Sequence, residues 1–168
     1  MTNKLIRPVA YIATTILTFI FMALDYLKAF VIYDGESESE GYTAYEYLDL
    51  NLRGAEAEIL QELACFALVI VIIAAVVLAL VAVAKLLSAF DICVDILSKF
   101  ERPIDIVGTL ASVVMILCNV LALFSTILFG LLNFEEMFDV VFLMTAGVGA
   151  YLMLVISVIP VIAKKIEG

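Results

Sequence analysis

Residues 104–132 read IDIVGTLASVVMILCNVLALFSTILFGLL, and this stretch decides the fold. As a helix rising about 1.5 Å per residue it is long enough to cross the roughly 30 Å hydrocarbon core of a bilayer. Asp105 is its only charge. Polar side chains recur along it at helical spacing, so that Asp105, Thr109, Ser112, Asn119 and Thr126 fall close to one face. Gly108, Ala111, Cys118, Ala122 and Ser125 run beside them as a seam of small residues. Lipid offers Asn119 no hydrogen-bond partner. The face therefore requires either a neighbouring helix to bond or a hydrated path to line.

Three further runs, at about 8–31, 63–87 and 140–163, have the length and apolarity of spans. The chain has 168 residues, 65% of them hydrophobic, and a mean hydropathy of +1.19. A soluble domain is about half apolar, so the excess is solvated by lipid. The expected fold is an all-α integral membrane protein, a single antiparallel bundle of four transmembrane helices spanning residues 1–168. Lys4 and Arg7 ahead of the first run resemble the start of a secretory leader, and a retained signal anchor is expected. With the amino terminus inside, Lys4, Arg7, Lys85, Lys99, Arg102, Lys164 and Lys165 lie on the cytoplasmic side, and only Lys28 and Arg53 outside. This asymmetry places both termini in the cytoplasm, with the plasma membrane as the expected location.

The net charge of −9 belongs mostly to one segment. The outer loop 34–62 holds nine acidic residues and one basic one, which argues against nucleic acid as a partner. Glu36, Glu38 and Glu40 alternate with serines, and Tyr42, Tyr45 and Tyr47 follow. Together they form a candidate recognition surface. Residues 42–52 fit helix and strand periodicity about equally. The tyrosines are expected at the outer leaflet or over the end of the bundle. Glu56, Glu58 and Glu62 suit the amino terminus of a helix leading into span two.

Elsewhere, Pro8 is a good first helical position for span one. Asp25 and Lys28 are expected to pair one turn apart at the outer interface. In span two only Ala75, Ala79 and Ala82 suggest a packing side, and it is expected to be the most lipid-exposed. Residues 86–102 place Leu86, Phe90, Val94, Leu97 and Phe100 opposite Asp91, Asp95, Ser98 and Lys99, the pattern of a cytoplasmic amphipathic segment. Asp95 and Lys99 form a favourable pair, and Pro103 is expected to end this segment and begin span three. A kink is expected at Pro160.

The chain has no histidine, which removes Ser-His and Cys-His nucleophiles and the H-E-x-x-H zinc site. Counted from Asp34, a calcium loop would need glycine at position 39 and glutamate at position 45, where Ser39 and Tyr45 stand. Weakly bound divalent cations at the acidic loop are the most it implies. Cys65, Cys93 and Cys118 are expected at three different depths, as small apolar residues rather than a disulfide. No catalytic residue, metal ligand or cofactor site is expected.

Four spans, inward termini, a large first outer loop and a small second one resemble the layout of claudins and related tetraspan proteins. The tryptophan and cysteine motif of the claudin outer loop has no counterpart between Asp34 and Glu62. The resemblance therefore implies architecture alone. Small multidrug transporters share the span count but no motif. The expected function is a non-enzymatic assembly, accessory or interaction role, whose partners are lipids and either itself or another membrane protein. The alternative is an oligomeric cation channel or small transporter, with the polar face of span three lining its path.

Overall fold

The computed structural model describes residues 3–33, 36–52, 59–90, 92, 94–132, 135–137 and 140–167. In chain order the elements are α1 (Asn3–Met22), β1 (Asp25–Tyr33), β2 (Glu36–Thr43), α2 (Ala44–Leu52), α3 (Ile59–Ala89), α4 (Val94–Leu132), β3 (Glu135–Met137), β4 (Val140–Ala146), α5 (Val148–Ser157) and α6 (Ile159–Glu167). The chain is mostly helical. It has four helical stretches long and apolar enough to cross a membrane: α1, α3, the Lys99–Leu132 part of α4, and α5 with α6. This is the pattern of a multi-pass membrane protein.

The all-α expectation gives way at one end of the helices. There β1, β2, β3 and β4 form a four-stranded antiparallel sheet in the order β2-β1-β4-β3. Span one, expected to run to Val31, stops as a helix at Met22, and span four, expected from Val140, becomes helical only at Val148. Both misplaced segments are central strands: β1 pairs Leu27 with Ala146 and Tyr33 with Val140. A strand paired on both edges can be apolar throughout, and hydropathy cannot tell it from the end of a buried helix. A register irregularity between Asp25 and Leu27 marks where β1 begins to pair with β2.

The sequence does carry hairpin signals. Two residues, Asp34 and Gly35, separate the paired positions Tyr33 and Glu36, and Asp-Gly is a strong hairpin dipeptide. Residues 42–52 divide between the two alternatives, with Tyr42 and Thr43 closing β2 and Ala44–Leu52 helical. Thr43 and Glu46 form a capping box: the Thr43 amide donates to Glu46 Oε2 (2.8 Å) and the Glu46 amide to Thr43 Oγ1 (3.2 Å).

Span two is not the most lipid-exposed. A larger share of it is buried than of any other span, 44% against 28%, 33% and 39%. Ala64, Ala67, Ala74, Ala75 and Ala82 are buried. Small side chains let α1 and α4 pack closely against it, an asymmetry of size that uniform apolarity hides.

Pro103 does not separate two helices, because α4 runs unbroken through it. Lys99, Glu101, Arg102 and Pro103 are all exposed, so the carbonyl that proline leaves unbonded can be solvated. Nor does α1 start at Pro8, which lies inside it. The helix of span four breaks at Val158, two residues before Pro160, whose missing N–H cannot continue the ladder. Asp34, Arg53, Glu56, Glu58, Asp91 and Cys93 lie outside the described residues, as do the side chains of Glu36 and Asp95.

Candidate functional site

The polar line of α4 faces protein. Ser112, Asn119 and Thr126 are 2%, 3% and 0% exposed. Ser112 Oγ donates to the Gly108 carbonyl (2.7 Å) and Thr126 Oγ1 to that of Ala122 (2.8 Å), so both hydroxyls bond back to their own helix. Asn119 alone of these three bonds across helices, Nδ2 donating to the Met153 carbonyl of α5 at 3.4 Å. The small seam serves close packing. A Cβ at Gly108 would meet Val81 of α3 at 3.0 Å and the Tyr11 ring of α1 at 3.1 Å.

Asp105 and Thr109 belong to a charged cluster at the end of the helices away from the sheet. Arg7 donates to Asp105 Oδ1 (3.0 Å), and Lys85 makes an ion pair with the same oxygen. Thr109 Oγ1 donates to the Asp105 carbonyl (2.8 Å) and accepts from Lys164 Nζ (3.0 Å). The side chains of Arg7 and Lys85 are only 12% and 17% exposed. All four spanning stretches thus contribute to one cluster. Composition showed these cations only as topology signals, because their convergence depends on how helices distant in sequence pack.

The loop candidates sit on the sheet and on α2. Glu38 and Glu40 are exposed on β2, an edge strand, together with Ser37, Ser39 and Gly41. The Tyr42 hydroxyl donates to Glu40 Oε2 (2.9 Å), and this bond to a carboxylate raises the phenol above its ordinary pKa. Glu46 is held below its ordinary value by the Thr43 amide. Tyr45 extends over α1 and donates to the Phe19 carbonyl (3.1 Å). That carbonyl is free because α1 ends in a tighter turn, with the Ala23 amide bonding Ile20 instead.

Tyr47 is buried, and its ring lies 5.7 Å from that of Tyr26. Burial raises both phenols far above the usual range. The Tyr26 hydroxyl lies beside Thr126 and has no hydrogen-bond partner among the described residues. Cys65 Sγ lies 3.8 Å from the Tyr47 carbonyl, tying α3 to α2. Asp25 and Lys28 pair at 3.6 Å, on a strand rather than a helical turn.

Sequence reading missed Gly147 and Gly149 as determinants of this end. The Gly147 amide donates to the Tyr26 carbonyl (2.7 Å), and a Cβ at Gly147 would fall 2.1 Å from the Asp25 carbonyl oxygen. A Cβ at Gly149 would stand 2.7 Å from the Phe21 carbonyl oxygen. The Gly-Val-Gly spacing at a strand-to-helix junction was the available signal. No protein-family model, no curated protein and no solved structure matches the chain.

Proposed function

We propose that this chain is a non-enzymatic protein of the plasma membrane with an assembly or accessory role. Its helices form an antiparallel bundle with both termini cytoplasmic, and its extracytoplasmic sheet presents the acidic edge strand β2 to a partner. The supporting observation is that β2 ends the sheet with Glu38 and Glu40 exposed. An edge strand offers backbone donors and acceptors to an incoming strand. Alternating glutamates repel a second β2 and favour a segment rich in lysine or arginine. The chosen partner is therefore an extended basic segment of another membrane or extracytoplasmic protein.

Charged edges also protect sheets from self-association, so capture of a partner separates recognition from protection. A photo-crosslinker at Ser39 in native membranes is expected to give one discrete adduct. Glu38→Lys with Glu40→Lys should abolish it, and high salt should weaken it. A chain that gives no adduct, or an adduct indifferent to charge reversal, would refute the reading. The channel alternative draws less support, because Ser112, Asn119 and Thr126, three of the five residues that would line the path, are buried within one chain.

A further inference from the structure

The sheet and its edge leave the opposite end of the molecule without a role. There Arg7, Lys85 and Lys164 converge on a single carboxylate, Asp105, and on the Thr109 hydroxyl. A cleft of about 320 Å³ lies among them, lined by Arg7, Asp105, Ile106, Thr109, Leu110 and Lys164. Glu101, one turn before Asp105 on α4, is exposed and does not line the cleft. Arg7 and Lys164 against Asp105 leave net positive charge at a pocket whose remaining wall, Ile106 and Leu110, is aliphatic, and Lys85, paired to the same carboxylate, adds to it.

Leu110 also lines a second cleft of about 250 Å³. Its other walls include Ile73 and Val77 of α3 and Val107 and Val114 of α4. From Thr109 to Val114 a helix rises only about 7.5 Å, so the charged pocket and the aliphatic groove fall within one leaflet. From Arg7 to Met22, α1 rises about 22 Å, less than the roughly 30 Å of bilayer hydrocarbon. A span this short leaves the cations near the hydrocarbon boundary, from which long basic side chains reach outward to lipid phosphates.

We infer that this cleft binds the phosphate of an anionic phospholipid from the leaflet at this end, with an acyl chain lying in the aliphatic groove beside Leu110. Arg7 and Lys164, which line the cleft, supply charge-assisted donors, and Asp105 holds Arg7 in place. A zwitterionic lipid carries its own cation and gains less from the cluster.

Native mass spectrometry of the full chain, released from nanodiscs of mixed phosphatidylglycerol and phosphatidylcholine, tests this. Phosphatidylglycerol adducts should exceed phosphatidylcholine adducts, and Lys164→Gln should lower that excess about fivefold. Lys164 is exposed, so this variant folds without depending on the Asp105 pairs. Lys165→Gln, one residue along and outside the cleft, should leave the excess unchanged. Equal adducts of the two lipids, or equal effects of the two variants, would overturn the inference. So would a thermal shift from inorganic phosphate, in phosphatidylcholine nanodiscs, as large as that from phosphatidylglycerol, because the cleft would then take a soluble anion. None of these readouts depends on partner capture by β2.

Discussion

Gly147 shows how a single missing carbon sets the geometry at the sheet end. Its φ of −80° is open to any residue, so the requirement comes from contact alone. A Cβ placed 2.1 Å from a backbone oxygen forces β1 and α5 apart. Gly147→Ala should therefore lower stability by about 1–3 kcal/mol, the usual range for overpacking, read as a fall in the thermal midpoint in detergent. Gly41 differs, because the three atoms nearest a Cβ there belong to the carboxyl group of Asp25, a side-chain end that can turn aside where a backbone oxygen cannot. Tyr26 carries the opposite prediction. Its ring fills the core, but its buried hydroxyl has no partner among the described residues, so Tyr26→Phe should keep the packing and raise stability by about 1 kcal/mol. A lower midpoint would mean that the hydroxyl makes a bond worth more than its burial costs.

Among the elements, α2 is short and depends on its cap. Nine residues form a marginal helix in isolation, and the reciprocal bonds of Thr43 and Glu46 satisfy amides that would otherwise be left open. Thr43→Ala should cost about 1 kcal/mol, visible as faster hydrogen exchange in α2 than in α3. The folded pKa of Glu46 lies below its ordinary 4.5, so its contribution is complete above that value and disappears as pH falls through the lowered one. Acid should therefore loosen α2 before the spanning helices, and Glu46→Gln should remove that acid sensitivity. The capping box was legible as Thr-x-x-Glu in the sequence. The strand β1 was less so, because a central strand and the end of an apolar helix have the same composition.

Across the whole molecule, the two ends of the bundle are closed by different forces. At the sheet end, backbone pairing joins the segment after α1 to the segment before α5. At the other end, the Asp105 carboxylate ties α1 and α3 to α4. Asp105→Asn should leave Arg7 and Lys85 close together without their counter-charge, at a cost of about 1–3 kcal/mol. The check is a lower midpoint that high salt partly restores, since ions can approach at the more open position 105 and screen the repulsion. Between the ends, Asn119→Leu removes the α4 to α5 bond and should cost about 1 kcal/mol, with looser helix association. An unchanged midpoint in that variant would leave the small-residue seam, rather than the amide, as what holds these helices.

The number of spans, the distribution of charge along the chain and the polar, small-sided face of α4 were determined by the sequence itself. Each is a local property of composition or of a 3.6-residue period. Of the polar residues read onto that face, Ser112, Asn119 and Thr126 are buried, while Asp105 and Thr109 join the charged cluster, and the sequence left open what either would meet. Tertiary structure alone decided that β1 and β4 are strands, since each is stabilised by pairing with a segment more than a hundred residues away. It also decided that α3, uniformly apolar, is the most buried span, because the fit of alanines against α1 and α4 is a matter of shape. The convergence of Arg7 and Lys85 on Asp105, and of Lys164 on the neighbouring Thr109, has the same origin. No period in the sequence relates the four charged positions, and only the packing of the helices brings their charges within reach of one another.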